Sequence, residues 1–228
     1  IDEDTHLPKP SYDLWEEQFM TTTYTTAVVH AGLIEAATLA DVLGETETAV
    51  RWRTVADDMK AAASSRLYDY DRKYFYKGLR RIGGEIAPDD TVDTASFFGA
   101  FMYGLFDVES DHMVHAYQTL LSTLGTSGPG LPRYEGDTYH RQNDSAPSNP
   151  WFITSLWHAQ YLIETGKRDE GARIIDWVLE HALATGVLSE QVFADGSQTS
   201  VAPLTWSHAE LLSTLLDFAI QPKGAEDV

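Results

Sequence analysis

An all-α fold, built from successive helical hairpins, is what this sequence predicts. Three observations carry the expectation. Apolar residues recur at three- and four-residue spacing over seven stretches. Gly44 and Gly166 stand where such runs stop, as a helix-ending residue does. Short turns alternate with long connections of mixed chemistry, so one end of the helix array should carry the elaborate loops.

The first helix is expected over 13–43, entered from the extended Pro8-Lys-Pro10 segment and stopped at Gly44. Tyr24, Val28, Leu33 and Ala36 belong to its apolar run, and the threonine-rich stretch 21–26 is its weakest part. A second helix is expected over 45–67, with Val50, Trp52, Val55 and Met59 on one side. Residues 68–81 are rich in Tyr and Phe and turn at Gly83-Gly84, the pattern of a loop or small hairpin. A compact apolar helix, buried on most sides, is expected over 93–106, and another over 111–124. The connection 125–150 is full of Gly, Pro, Ser, Asn and Asp; loops of that length in compact domains tend to be functional or disordered. A helical pair follows at 149–165 and 168–185, then a second long connection at 186–203 and a last helix at 206–220. Residues 221–228 read as a polar tail.

The 228 residues suffice for one large domain with a sizeable core. There is no cysteine, which excludes a thiolate nucleophile, a disulfide scaffold and cysteine-ligated zinc. The net charge is −19, with 20 Asp and 15 Glu against 10 Arg and 6 Lys. Such a surface repels nucleic acid and anionic membranes, whose binding rests on Lys and Arg. Its acidic excess and scarce lysine point to solubility in high salt, where screening relieves self-repulsion. A neutral ligand such as a sugar is compatible with this field. Of the eight histidines only His112 and His115 are close, without a third metal ligand nearby, and no zinc site is expected. Asp69-Tyr-Asp71 and Asp89-Asp90 lack the spaced ligands and glycine of a calcium loop.

Chemistry concentrates in three irregular stretches. The first is 11–18, where Glu16 and Glu17 follow Trp15; an apolar neighbour and a second carboxylate both favour a protonated acid near neutral pH. The competing reading is structural, because Asp13 and Glu16 have the spacing of a helix-capping box. The second stretch is 130–139 with 149–152, holding Arg133 and Trp151; the third is 186–208, where Glu190 is the one acid in an apolar, β-like run. An exposed loop position is the alternative for Glu190, and core packing for the tryptophans. Glu16 and Glu190 are nonetheless the natural pair for glycoside hydrolysis, one protonating the leaving oxygen while the other activates water or attacks the sugar. Arg133 offers a fork of donors to hydroxyls, and Trp15, Trp151 and Trp206 offer flat faces to sugar rings.

Five of these segments, in order along the chain, resemble glycoside hydrolase family fifteen, the family of glucoamylases, glucodextranases and some microbial trehalases. They are Pro10-Ser-Tyr-Asp-Leu-Trp-Glu-Glu17, Leu131-Pro-Arg-Tyr-Glu-Gly-Asp-Thr-Tyr139, Asn149-Pro-Trp-Phe152, Leu188-Ser-Glu-Gln191 and Pro203-Leu-Thr-Trp-Ser-His-Ala-Glu210. The resemblance implies an (α/α)6 barrel and hydrolysis of α-glucosidic bonds with inversion, without a cofactor or metal. It implies Glu16 as general acid, Glu190 as general base, and Trp15, Glu17, Arg133 and Trp151 as substrate-binding residues. A neutral gluco-oligosaccharide or polysaccharide would be the ligand.

A complete barrel of this family has twelve helices, and prokaryotic members usually place a β-sandwich before it. The pattern here accounts for about the last seven, and the family's Trp-Pro-Arg-Asp segment, which grips the non-reducing glucose, has no counterpart. Residues 1–220 are therefore expected to be a partial catalytic barrel, cleaved from something longer, given Ile1 in place of Met. Inner helices without neighbours leave apolar faces open, so an N-terminal companion part or self-association is expected. No signal peptide or membrane-spanning run is visible, and a cytoplasmic location is the expectation. Two other functions fit the same pattern: a non-catalytic α/α remnant that binds glycan or protein, and an α/α-toroid lyase, which the negative charge disfavours for an acidic polymer.

Overall fold

The computed structural model of the chain describes residues 1–125 and 128–220, so the expected tail at 221–228 lies outside the described residues. The chain divides into two compact units, Ile1–Thr123 and Leu124–Val228. The described residues form seven helices, but also six short strands, so the all-α expectation is corrected to a helix-dominated fold with small antiparallel sheets.

The strands all lie in the first unit: β1 (Ser11–Tyr12), β2 (Phe19–Thr22), β3 (Tyr68–Asp69), β4 (Tyr74–Phe75), β5 (Gly78–Ile82) and β6 (Glu85–Asp89). β1, β2, β5 and β6 form one antiparallel sheet in that order, with Ser11 opposite Met20 and Thr22 opposite Gly78. The hairpin expected at Gly83-Gly84 is the β5–β6 turn. The expected helix start at residue 13 is overturned. Residues 13–18 are instead the turn between β1 and β2, because the Asp13 carboxylate caps the amides of Glu17 and Gln18 and so competes with helix formation.

Helix α1 (Thr23–Val42) begins inside the threonine stretch that looked weakest. Thr22 ends β2 and caps α1, its hydroxyl accepting from the Thr25 amide at 3.0 Å. The buried stripe of α1 is Thr23, Thr26, Ala27, His30, Ala37 and Ala40. It packs on α2 (Thr46–Arg66), whose buried residues are again mostly alanine: Ala49, Ala56, Met59, Ala62 and Ala63. Side chains this small let two helix backbones approach closely. Val50 and Met59, expected on one side of α2, differ in surroundings: Val50 is exposed and Met59 buried. Gly44 takes φ +79° just after α1, a conformation only glycine adopts cheaply, and its amide bonds back to Asp41. Helix α3 (Thr94–Met102) is buried from Thr94 to Phe101, as an all-round apolar helix must be, and Asp93 caps it through the Ala95 amide at 2.7 Å. Helix α4 (Asp111–Leu124) occupies the expected span. His112 packs among Tyr68, Tyr70 and Phe106.

In the second unit α5 (Phe152–Glu164) is central, and α6 (Arg168–Glu180) and α7 (Thr205–Ala219) both pack on it. Phe152, Leu156, Val178, Leu188 and Val192 form the core there, with Trp177 and Leu211 against it. Helix α6 ends before its expected limit of 185, because Gly186 and Leu183 close a tight turn onto Val187. Helix α7 has its polarity reversed. Ser207 and Thr214 are its buried residues, and Gln160 of α5 donates to Glu210 and Thr214, while Leu212 and Leu216 stand 60% and 56% exposed. No helix among the described residues is long and apolar enough to cross a membrane.

Candidate active site

The β1–β2 turn presents Glu16 and Glu17, both exposed. Its closure is local. The Asp13 amide donates to the Gln18 carbonyl at 2.8 Å, and the Glu16 amide to the Asp13 carbonyl at 3.0 Å. Asp13 Oδ1 then accepts the amides of Glu17 at 2.8 Å and Gln18 at 3.1 Å. Glu16 sits at φ +59°, a left-handed conformation that costs a non-glycine residue about 1–2 kcal/mol. The capping-box alternative for Asp13 and Glu16 is therefore excluded, since no helix starts there.

Beneath the turn lies a charged cluster that inspection of the sequence did not single out. Lys77 Nζ is 3.1 Å from Asp13 Oδ2 and 3.1 Å from Asp93 Oδ2, and the Lys77 side chain is 6% exposed. Trp15 is turned inward, its Nε1–H donating to both Asp93 oxygens at 3.2 and 3.0 Å. Trp15 is thus a floor to the turn and retains only 9% exposure. Burial works against the Lys77 ammonium, but Asp93 and Asp13 outweigh it and hold its pKa above the usual lysine range. Burial raises Asp93 above the usual carboxylate range, despite Lys77, the Ala95 amide and Trp15. One available signal was a cation between Tyr76 and Gly78 in a chain with only six lysines.

In the second unit, three extended segments meet side by side. Trp151 bridges Leu131 on one flank and Gln191 on the other. Glu190 lies in the third segment, with its amide on the Val201 carbonyl at 3.1 Å and its carbonyl accepting from Phe152 at 3.2 Å. The start of α7 holds the same segment: Leu204 N–H donates to the Leu188 carbonyl, Ser207 to the Ser189 carbonyl, and His208 Nε2 accepts from the Leu188 amide. The Glu190 side chain is half-buried. Asn149 donates to Gln191 Oε1 at 2.8 Å, and Gln191 Nε2 donates on to Glu190 Oε2 at 3.3 Å, so a buried amide pair orients the carboxylate.

Arg133 is brought onto Trp151, its guanidinium carbon 4.6 Å from the indole centroid and 5.0 Å from the rings of Tyr134 and Tyr139. Asp137 holds it from the side, with Nε to Oδ2 at 2.8 Å and Nη2 to Oδ1 at 2.9 Å. The face that Trp151 was expected to turn to a ligand is therefore occupied by Arg133. Asp137 was not foreseen, although its position four residues after Arg133 was a readable signal. Trp206 is half-buried against Trp157, with Nε1 on Glu210 at 3.1 Å. The first unit thus carries Glu16 and Glu17 on a closed turn, and the second carries Glu190, whose carboxylate accepts from Gln191.

Carboxylates set on a closed turn and on a bridged extended segment are compatible with a glycoside hydrolase, which works through paired acids. The sequence pattern of glycosyl hydrolases family 15 matches residues 4–176, and the chain belongs to that family. It is 27% identical over 217 residues to an uncharacterized glycosyl hydrolase of Methanocaldococcus jannaschii, covering 89% of this chain and 33% of that protein. It is 26% identical over 179 residues to a glucoamylase of Blastobotrys adeninivorans, covering 72% of this chain and 28% of that one. Among solved structures, a bacterial glucoamylase complexed with acarbose shares the fold at a TM-score of 0.76 and 23% identity, over 88% of this chain and 34% of that one. The chain spans about a third or less of the length of these proteins.

Proposed function

We propose that this chain carries the acid and base of an inverting hydrolase that releases glucose from the non-reducing end of an α-glucan or disaccharide. The observation that carries this is Glu16: an exposed carboxylate in a costly left-handed conformation, on a turn closed by a buried carboxylate. Family membership supports the same reaction class.

Glu16 protonates the glycosidic oxygen as its bond to the anomeric carbon breaks. Glu190 takes a proton from the water that attacks that carbon from the opposite face, so the product is the β-anomer. Inversion requires ~6.5–9.5 Å between the carboxyl groups, against ~5–5.5 Å for retention. Arg133, stacked on Trp151 and forked to Asp137, holds the wall on which the sugar site is built. Glu17 binds the sugar beyond the scissile bond, and Trp15 sets the turn against which that sugar rests. No cofactor enters this chemistry.

Hydrolysis needs further helices beyond these seven, completing a barrel. Two facts support this: the chain spans 34% of the bacterial glucoamylase whose fold it shares, and α7 leaves Leu212, Leu215 and Leu216 exposed. The companion part or a second copy of the chain would cover such a face.

The test is proton NMR of malto-oligosaccharide and trehalose incubated in high salt with this chain, alone and with the N-terminal part of a family member. Early β-glucose, absent with Glu190→Gln and with Glu16→Gln, is the expected result. Early α-glucose split from the non-reducing end of malto-oligosaccharide, or release that survives either substitution, overturns the assignment; trehalose, whose leaving glucose keeps its α configuration, should give both anomers.

A further inference from the structure

We propose that Lys77 is a positioning residue for the Glu16–Glu17 turn, acting through Asp13. This deepens the hydrolase reading, in which Glu16 is the proton donor, but its structural content stands apart from catalysis.

The Lys77 backbone is pinned from two sides, its amide donating to the Asp89 carbonyl at 2.8 Å and its carbonyl accepting from Thr23 at 3.1 Å. Its ammonium is therefore delivered to a fixed point, under the turn and at the start of the β5 strand. Two carboxylates meet it there, and each does a second task. Asp13 takes the amides of Glu17 and Gln18, which closes the turn. Asp93 takes Trp15 Nε1 and caps α3 through Ala95. The chain on both sides of Glu16, Trp15 before it and Glu17 and Gln18 after it, is thus tied to one ammonium through two acids.

The electrostatics explain why a lysine is needed. Asp13 and Asp93 are each almost fully buried, and two carboxylates sharing one site cannot both ionise without a counter-charge. Asp13 Oδ1 takes the two amides while Oδ2 meets the ammonium, so the ion pair fixes the orientation in which both amides are held. Removing the ammonium leaves two buried carboxylates around one point without a counter-charge, and Asp13 is driven to swing toward water. That swing releases the Glu17 and Gln18 amides, and the left-handed Glu16 backbone then has less to keep it there. Tyr74 confirms how fully the site is enclosed: its hydroxyl donates to the Asp93 carbonyl at 2.9 Å, and burial raises its pKa well above the usual tyrosine value.

The experiment is amide hydrogen exchange at Glu17 and Gln18 in the 228-residue chain, for wild type, Lys77→Met, Asp13→Asn and the double variant. Lys77→Met should speed exchange at both amides by about tenfold or more while distant helices keep their protection. The double variant should match Asp13→Asn alone, because Lys77 works through Asp13. Unchanged exchange in a folded Lys77→Met overturns the proposal. If Lys77→Met does not fold, the comparison of Asp13→Asn with the double variant decides, and faster exchange in the double variant overturns it. In the glucose-releasing protein Lys77→Met should lower kcat with KM nearly kept, a split that a general loss of folded protein would not produce. A failure of Glu16→Gln to stop glucose release would sink the hydrolase reading and leave the exchange result untouched.

Discussion

Arg133 and Asp137 form a two-point ion pair four residues apart, at 2.8 and 2.9 Å, with both side chains under 5% exposed. Asp137 also accepts the Tyr139 amide at 2.9 Å, so it fixes the loop and the arginine together. Asp137→Ala leaves a buried guanidinium without its carboxylate and should destabilise the protein by about 3–5 kcal/mol. Arg133→Lys should also fail to substitute, since an ammonium cannot make the forked contact. Urea unfolding midpoints check both, and a shift under about 0.5 kcal/mol for Asp137→Ala would show that the pair is not structural.

His158 gives the second unit an acid-sensitive step. Burial depresses its pKa from 6.5 to about 4, against a hydrogen bond to the Pro129 backbone and with Lys167 adding to the depression. The folded state thus binds the proton more weakly than the unfolded chain. Stability from this group is complete above pH 6.5 and is lost as pH falls through about 4, an interval worth about 3 kcal/mol. Many carboxylates titrate in the same range, so the readout is the difference between wild type and His158→Gln. That difference should vary with pH between 4 and 6.5; a flat difference would show that His158 is not held neutral.

The parts of the fold legible in the sequence are those set by local signals. Helix α4 carries its own apolar period, and the α5–α6 pair is punctuated by Gly166, so both were readable. The β5–β6 hairpin announced itself through paired glycines. The entry to α1 was not readable, because an Asp followed by two acids looks the same whether it caps a helix or closes a turn. Helix α7 shows a second limit. Its period was visible, yet which face is buried depended on Gln160, a partner on another helix. At the candidate site the acids and Arg133 stand in readable motifs; Lys77 shows only as a cation among aromatic and glycine neighbours, and its pairing with Asp13 and Asp93 is not readable because those contacts cross long stretches of chain.

Glu16 allows backbone and side chain to be tested separately. Glu16→Gly and Glu16→Ala both remove the carboxylate, but only glycine relieves the left-handed backbone at φ +59°. The glycine variant should be more stable than the alanine variant by about 1 kcal/mol, and both should be inactive in glucose release. Equal stability would remove the inference that this turn stores strain. Thermal unfolding of the two proteins side by side is sufficient.

Two glycines of the first unit should respond to the same substitution with opposite sign. A Cβ on Gly78 would lie 2.5 Å from the Thr21 carbonyl oxygen, 2.9 Å from Met20 Sδ and 3.0 Å from Thr22 Cα. The methionine can yield, but the other two atoms are backbone of β2, and β2 is held in register with β5 at this point. Gly78→Ala must push the strands apart beside Lys77 and disturb Thr22, the cap of α1. A loss of about 1–3 kcal/mol is expected from overpacking alone. Gly32, in the middle of α1, has nothing within 4 Å of its would-be Cβ. There alanine removes backbone freedom from the unfolded chain and favours the helix, so Gly32→Ala should gain about 0.5–1 kcal/mol. Urea unfolding of both variants, with hydrogen exchange at Glu17 and Gln18 for Gly78→Ala, checks the pair. If Gly78→Ala is as stable as wild type, the β2–β5 contact is looser than these distances allow, and the platform beneath Glu16 is not rigid.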